Sequence, residues 1–252
     1  MTIQYCSDLH LERPENYAWW KKRPILPAAD TLILAGDILP FAEMDQFPDF
    51  FHYLSDHFQA TYWLPGNHEY YGSDILHRSG PFREAIRPNV FLLNNQVEQL
   101  EGITLVFSTL WSHISPAAEW TIARYVTDFR AITHGGERYL PLHSNRLHKE
   151  CRQFIETAVA AAPTSKIVVA THHIPTFLNY PAKYKNSPVN EAFATELHDF
   201  IYQSSIDTWI FGHHHVNTPE FNVGNTRMLT NQLGYVKQGE NRGYRQDAVI
   251  KP

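Results

Sequence analysis

The stretch GNHE, residues 66–69, follows a short apolar run, ATYWLP, residues 60–65, which predicts a buried strand. The Pro-Gly pair at the junction breaks this strand sharply, so the side chains of Asn67 and His68 are expected just beyond its carboxyl end. In open α/β sheets that edge is where ligands bind. Asn67 offers a neutral oxygen to a metal ion, and His68 offers a titratable nitrogen beside it. Alone, the motif is weak evidence for a metal site, because Asn and His also occur in turns that bind nothing.

Four further apolar runs end in oxygen-bearing or imidazole side chains. The run 3–10 ends in Asp-x-His and the run 31–37 ends in Gly-Asp. The run 166–173 ends in paired histidines, and the run 207–215 ends in Gly-His-x-His. Chance could place such residues after one or two strands. Five such ends in one chain predict a metal centre, because carboxylate, amide and imidazole groups are ligands of divalent ions.

In this order the motifs resemble those of the calcineurin-like metallophosphoesterase superfamily, whose signature runs Asp-x-His, Gly-Asp, Gly-Asn-His, His, Gly-His-x-His. The resemblance extends from Asp8 to His215 and covers most of the chain. It implies an α/β fold, a four-layer α/β/β/α sandwich of two mixed sheets. The alternation of strands and helices predicts by itself only a single α/β domain, here residues 1–252.

The resemblance also implies a dinuclear metal centre in which Asp37 bridges the two ions. No thiolate is among the implied ligands, and the family metals Mn, Fe and Zn suit the oxygen and imidazole set, as two divalent ions or as one trivalent and one divalent ion. The ligands are Asp8, His10, Asp37 and His215 for one ion, and Asp37, Asn67, His172 and His213 for the other.

The catalytic residues implied by the resemblance are Asp37 and His68. Two carboxylates and a bridging hydroxide leave a pair of divalent ions with a net positive charge, which attracts a phosphate ester. The ions would lower the pKa of the bridging water, and the resulting hydroxide would attack phosphorus. His68 would protonate the leaving oxygen or donate a hydrogen bond to it.

One departure from the family concerns the Gly-Asp motif. Protein phosphatases of the superfamily carry Gly-Asp-x-x-Asp-Arg, in which the second Asp orients the catalytic His and the Arg binds phosphate. Here Pro40 and Phe41 stand at those two positions. His68 is therefore expected to lack this carboxylate partner and to be a weak general acid. The enzyme should then prefer diesters with good leaving groups over alkyl monoesters.

Composition and charge limit the location and the partners that the protein is expected to have. The chain has 252 residues, of which 43% are hydrophobic, and no apolar run approaches the roughly 20 residues of a membrane span. No secretory signal is recognisable at the start of the chain. Cys6 and Cys151 do not form a disulfide framework, so a cytoplasmic location is the default expectation. The net charge of −5 argues against binding to a nucleic-acid backbone.

Periodicity predicts helices over 13–22, 42–58, 73–86, 116–132, 143–162 and 191–203, with Pro48 as a kink or as the true start of the second. Strands are expected over 90–93 and 96–100, in a hairpin to 103–108, and around Phe221, Met228 and Tyr235. The last dozen residues are expected to fray. Residues 174–190, with three prolines, are expected to form a wall over the metals that sets substrate choice.

Several residues near the motifs have open roles. His173 and His214 adjoin ligands in extended segments and are expected to point away from the metals. His113 lies beyond a strand end and could reach the cleft, and Glu69 is expected to support the site rather than to react. Lys183, Tyr184 and Lys185 either contact substrate or belong to a solvated loop face.

The sequence thus predicts a metal-dependent phosphoesterase that acts on a small phosphodiester or nucleotide-type ester. A phosphomonoesterase is the alternative, followed by a nuclease and by a metal-dependent binding protein without turnover. The expected partner is a small phosphate ester, nucleic acid is disfavoured, no membrane partner is expected, and the oligomeric state is left open. The physiological substrate and the native metal stay undetermined at this stage.

Overall fold

The structure is a computed structural model that describes residues 1–163 and 166–252. The strands are β1 (Ile3–Cys6), β2 (Thr31–Ala35), β3 (Ala60–Leu64), β4 (Phe82–Arg87), β5 (Val90–Asn94), β6 (Gln96–Leu100), β7 (Ile103–Ser108), β8 (Thr133–His134), β9 (Glu137–Arg138), β10 (Lys166–Thr171), β11 (Thr208–Ile210), β12 (Phe221–Val223), β13 (Thr226–Leu229) and β14 (Val249–Ile250). The α-helices are α1 (Pro14–Lys22), α2 (Pro48–His57), α3 (Glu119–Tyr125), α4 (Asp128–Ala131), α5 (Pro141–Ala160) and α6 (His198–Gln203).

These strands form two six-stranded sheets and a small hairpin of β8 and β9. The first sheet has the order β14-β1-β2-β3-β5-β4, and the second has the order β12-β13-β11-β10-β7-β6. In each sheet the four central strands are parallel and the two edge strands are antiparallel to their neighbours. Both sheets are therefore mixed, and each gathers the carboxyl ends of its parallel strands at one edge.

The side chains of the central strands point alternately into a core between the two sheets and into a core under the helices. The helices and sheets therefore form four layers. Along β2, Ile33 faces a core shared by both sheets, whereas Leu34 faces the core that contains α1 and α2. Along β10, Val168 faces the shared core and Val169 faces the core that contains α5 and α6. Such alternation is what a strand buried on both faces requires. The structure confirms the α/β/β/α sandwich of two mixed sheets.

The helix at α1 is confirmed, and Pro48 is the true start of α2, because a 3₁₀ segment at Phe41–Gln46 precedes it. The predicted helix over 73–86 is wrong. One 3₁₀ turn, Ile75–His77, occupies its first part, and its last part is β4, which pairs with β5. Gly80 and Pro81 stop a helix there, and the burial of side chains along β4 alternates as in a strand.

Two other helices are shorter than predicted. The stretch 116–132 is split into α3 and α4 by Val126 and Thr127, a β-branched pair that does not continue the helix. The stretch 191–203 is α-helical only over α6 and begins with a 3₁₀ turn, Asn190–Ala192. No strand forms at Tyr235, which is followed by the 3₁₀ turn Val236–Gln238. None of the described helices is both long and apolar enough to cross a membrane.

The carboxyl-terminal residues do not fray as expected. Strand β14 pairs antiparallel with β1, and the amide of Tyr5 donates a 3.1 Å hydrogen bond to the carbonyl of Ala248. Ile250 is 2% exposed and belongs to the core between the sheets, whereas Val249 faces outward and is 37% exposed. Buried side chains of Ala248 and Ile250, together with backbone hydrogen bonds, therefore hold the chain end against the strand that leads to Asp8.

We predict that Ile250→Ala lowers the free energy of unfolding by about 2–5 kcal/mol, because it removes a buried side chain and leaves a cavity. Val249→Ala is the matched control, since the neighbouring side chain is partly exposed, and should cost much less. Chemical denaturation of both variants measures the difference. Equal losses would show that β14 is not packed in the core.

Candidate metal centre

The backbone of most candidate ligands is strained. Left-handed φ angles are uncommon for residues other than glycine, and a residue held there costs on the order of 1–3 kcal/mol unless its surroundings enforce it. Such residues concentrate at functional sites. The candidate ligands with a positive φ are Asp8 (56°), His10 (46°), Asp37 (54°), His213 (82°) and His215 (54°).

Two motif glycines allow the ligands to approach one another. A Cβ atom on Gly36 would lie 2.5 Å from Nδ1 of His172, and Gly36 itself has a φ of 87°. A Cβ atom on Gly66 would overlap a carboxylate oxygen of Asp37. The Gly-Asp and Gly-Asn-His motifs therefore need glycine because a ligand side chain occupies the space of the missing Cβ.

The first group of donor atoms comes from the segments that follow β1 and β2 in one sheet and β11 in the other. The Nε2 atoms of His10 and His215 lie 2.9 Å apart, and Nε2 of His215 lies 3.4 Å from Oδ1 of Asp8. Oδ2 of Asp37 lies 3.7 Å from Nε2 of His10. These four side chains, which converge within 4.8 Å, are the set expected for one ion.

The second group lies on the other side of Asp37. Nε2 of His172 lies 3.0 Å from Nδ1 of His213 and 3.2 Å from Oδ1 of Asn67. Oδ1 of Asp37 lies 3.3 Å from Nε2 of His172. The two oxygens of Asp37 are thus divided between the two groups, which is the placement that a bridging carboxylate requires.

The donor set fits divalent metal ions. Imidazole nitrogens facing each other at about 3 Å need a proton or a cation between them. The outer ring nitrogens are also held: Nδ1 of His172 donates to the carbonyl of Ala35 at 3.0 Å, and Nδ1 of His215 lies 2.7 Å from Oε2 of Glu240. Such outer hydrogen bonds orient metal-binding histidines in other proteins.

Neighbouring carboxylates raise the pKa of two of the candidate ligand histidines. Burial lowers the pKa of His172, but Asp37 and Asp8 outweigh burial and raise it to about 9. Burial likewise lowers the pKa of His215, whereas Asp8 and Glu240 raise it to about 10. Both imidazoles are then protonated at neutral pH, so metal binding must release protons and metal affinity should rise with pH.

Glu69 supports the site in the way expected from the sequence. Its buried carboxylate accepts hydrogen bonds of 2.8–2.9 Å from the amides of Asp37, Ile38 and Gly66 and from Nε1 of Trp63. The acceptor atoms are therefore occupied, and the carboxylate ties the turn after β2 to the turn after β3. These hydrogen bonds fix the position of Asp37 relative to Asn67.

Asp128 is a site residue that the sequence reasoning missed. Its Oδ1 accepts hydrogen bonds from Nδ2 of Asn67 at 2.8 Å and from the hydroxyl of Tyr71 at 2.7 Å. The Asn67 amide is thereby oriented with its Oδ1 toward His172. No motif in the sequence points to Asp128, because it comes from the short helix α4 and reaches the site only through the fold.

Glu12 overturns the expectation that His68 has no carboxylate partner. Oε1 of Glu12 lies 3.2 Å from Nδ1 of His68 and 3.2 Å from Nδ1 of His10. Burial lowers the pKa of His68, but Asp37 and Glu12 raise it above its usual value overall. The carboxylate comes from residues 8–12, Asp-x-His-x-Glu, rather than from the position of Pro40. The alternation of that segment was a signal that could have identified it.

The segment after residue 230 completes the site. The ring of Tyr235 packs edge-on against His215 with centroids 4.6 Å apart, and its hydroxyl lies 3.4 Å from Nε2 of His68. Oε2 of Glu240 accepts a hydrogen bond from the Tyr235 amide and contacts His215. Sequence reasoning assigned Tyr235 to a strand and did not consider Glu240.

The three histidines with open roles occupy different places. His173 is buried behind His213, with its Nδ1 3.2 Å from the carbonyl of Thr109. His214 turns its Nδ1 toward Gln232 and belongs to neither donor group, although it lines the cleft. His113 lines a separate surface groove and does not reach the metal centre.

A cleft of about 360 Å³ opens above the donor groups. Its floor includes Asp37, Asn67, His68 and His213. One part of its wall is residues 125–128, and another is residues 180–193, which include Tyr180 and Tyr184. The loop after His172 therefore does border the site, as expected from the sequence.

A buried constellation of carboxylate, amide and imidazole groups at the carboxyl ends of two packed sheets is a candidate site for divalent metal ions. The sequence profile of the family described as calcineurin-like phosphoesterase matches residues 1–217, so the chain belongs to this family of metal-dependent phosphoester hydrolases. Tyr235 and Glu240 lie beyond the matched residues.

The chain is also similar to a viral protein and to two solved structures. The uncharacterized protein L509 of Acanthamoeba polyphaga mimivirus is 32% identical in an alignment that covers 95% of this chain and 93% of that protein. The phosphopantetheinyl hydrolase (PptH) of Mycobacterium tuberculosis is a structural neighbour with a TM-score of 0.73 and 18% identity, covering 100% of this chain and 96% of the other. A dimetal phosphatase from Danio rerio has a TM-score of 0.42 and 13% identity over 92% and 87% of the two chains.

We predict that His215→Ala lowers the metal content of the protein, because Nε2 of His215 lies between the donor atoms of His10 and Asp8. His214→Ala is the matched neighbour and should keep nearly normal metal content, since His214 belongs to neither group. Elemental analysis of both purified variants measures the occupancy. Equal loss in the two variants would show that the assignment of ligands along 213–215 is wrong.

Proposed function

We propose that this protein uses two metal ions to hydrolyse a small phosphodiester or nucleotide-type ester. The observation that carries the proposal is the division of the two Asp37 oxygens between two donor groups on the floor of a cleft. Paired ions held in this way would supply an activated water and would offset negative charge on the phosphoryl oxygens. Mn, Fe and Zn all suit the oxygen and imidazole donors.

The residues around the proposed ions have distinct tasks. Asp37 would contribute one oxygen to each ion, and the remaining donors would complete the two sets of ligands. Nε2 of His68 faces the cleft and would give a proton or a hydrogen bond to the leaving oxygen. Glu12 holds Nδ1 of His68 and so determines which ring nitrogen carries the reactive proton. The hydroxyl of Tyr235, near the same Nε2, is placed to hydrogen-bond to a phosphoryl or leaving oxygen.

The charge of the cleft favours a diester. None of the described residues that line it is a lysine or an arginine, whereas Asp37, Asp128 and Glu240 are acidic. A diester carries one negative charge and needs less cationic compensation than a monoester. The same absence of cations, with a net charge of −5, disfavours a nucleic-acid backbone as substrate.

A phosphomonoesterase is the second candidate, and the contact between Glu12 and His68 favours it. The Asp37 and Glu12 carboxylates raise the pKa of His68, so more of it is protonated at neutral pH than the sequence implied, and proton donation matters most for poor leaving groups such as alkoxides. A weakly protonated His68 therefore does not account for a diester preference. The diester proposal rests on the charge of the cleft alone.

Three further points belong to the proposal. The cytoplasmic location is consistent with two buried, unpaired cysteines, Cys6 and Cys151. Residues 1–252 act as one catalytic unit, because Tyr235 and Glu240 reach the site from the segment beyond the family match. The expected partner is a small phosphate ester, and the oligomeric state does not enter the mechanism.

The test compares bis(p-nitrophenyl) phosphate, p-nitrophenyl phosphate and glycerol phosphate as substrates of the Mn-loaded protein at neutral pH. We predict the highest kcat/KM for the diester. His68→Ala should lower kcat/KM about 100-fold or more for glycerol phosphate, whose alkoxide is a poor leaving group. The loss should be smallest for the two p-nitrophenyl esters, which share a good leaving group. Glu12→Gln should reproduce part of this leaving-group dependence, because it weakens the hold on His68 without removing the imidazole.

The outcomes separate the candidates. Faster cleavage of glycerol phosphate than of the diester would establish the monoesterase. A uniform loss in His68→Ala across all three substrates would contradict proton donation by His68. If the metal-loaded protein cleaves none of them, nor a phosphopantetheinyl ester of the kind named for the structural neighbour, a binding protein without turnover replaces the proposal.

A further inference from the structure

The wall of the cleft is rich in aromatic and aliphatic side chains. The stretch 125–128 contributes Tyr125 and Val126, and the stretch 180–193 contributes Tyr180, Tyr184 and Phe193 among others. Tyr125 is 62% exposed, although tyrosine rings of soluble proteins are more often half-buried. An exposed ring that borders a concave site is a surface available to a ligand.

The ionisable groups of the wall make it unsuitable for a second anionic group. Asp128 and Glu240 line the cleft and are acidic, and the polar side chains of Thr127 and Asn190 are uncharged. Two cations lie near its rim. The guanidinium of Arg13 is 5.3 Å above the ring of Tyr235, and the ammonium of Lys183 is 4.5 Å above the ring of Tyr184. Neither side chain lines the cleft.

The size of the cleft limits the organic group. Small-molecule sites occupy roughly 300–1,000 Å³, and this cleft, at about 360 Å³, lies near the lower end. Part of this space must hold the phosphoryl group beside Asp37 and His68. What remains suits one ring or a group of similar size.

From these observations we infer that the site selects a phosphoester whose organic group is flat, apolar and uncharged, with Tyr125 and Tyr184 contacting that group. The inference rests on the proposed function only in assigning the phosphoryl group to the metal centre. The metal ions would balance the negative charge of the ester phosphate. The aromatic side chains of the wall would contact the organic group. Esters with an additional carboxylate or phosphate are selected against by Asp128 and Glu240.

Phosphinates test the inference without requiring turnover, because their carbon–phosphorus bonds contain no ester to hydrolyse and they carry a single negative charge. The probes are dimethylphosphinate, methylphenylphosphinate and methyl(4-carboxyphenyl)phosphinate, titrated calorimetrically into the Mn-loaded protein. The phenyl probe should bind about 10-fold or more tightly than the dimethyl probe, as burial of a ring predicts. The added carboxylate should abolish most of this gain.

Variants locate the contact. Tyr125→Ala and Tyr184→Ala should weaken binding of the phenyl probe and leave binding of the dimethyl probe nearly unchanged. Tyr202→Ala is the matched control, because Tyr202 is also 62% exposed but lies on α6 outside the cleft, and it should change neither. Circular dichroism confirms that each variant is folded.

Each result decides the inference separately from the proposed function. Equal affinity for the phenyl and dimethyl probes, retention of the gain with the carboxylate, or an equal effect of Tyr202→Ala would overturn it, as would binding of none of the probes. A selective gain for the phenyl probe supports it even if no ester is cleaved, in which case only the proposed hydrolysis fails. Hydrolysis of esters without this selectivity would leave the proposed function and reject the aromatic contact.

Discussion

The position of the Asp37 carboxylate is the constraint on which the rest of the site depends. One of its oxygens faces the donor group of Asp8, His10 and His215, and the other faces the group of His172, His213 and Asn67. The carboxylate is buried and also accepts a hydrogen bond from the amide of His68 at 3.0 Å. Because burying an unpaired charge is costly, this arrangement needs cations or protons on both sides.

The same constraint explains why two sheets must pack together. Asp8 and Asp37 follow strands of the first sheet, whereas His172 and His213 follow strands of the second. Hydrogen bonds cross between them: the amide of His213 donates to Asp8, and Nδ1 of His172 donates to the carbonyl of Ala35. Neither sheet alone contains a complete donor group, so the metal centre forms only where the two sheets pack together.

The resemblance of the motifs to those of the family implied the sandwich. The strand ends predicted where candidate ligands converge, because most of these ligands closely follow an apolar strand. Groups that reach the site through tertiary packing were harder to find. Asp128 comes from a short helix, and Tyr235 and Glu240 come from the segment after the last parallel strand. Glu12 stands outside the family motif, which has the partner of His68 at the position of Pro40, although alternation from Asp8 and His10 leads to it. The helix predicted over 73–86 was wrong because pairing with β5 outweighs local periodicity.

Metal stoichiometry in Asp37→Asn tests the central claim most directly. The substitution keeps the shape of the side chain but removes the charge that both donor groups share. Elemental analysis of the wild-type protein refolded with excess Mn should give two ions per chain, and the variant should lose metal at both positions while circular dichroism shows an unchanged fold. Two full ions together with normal turnover in Asp37→Asn would contradict the account.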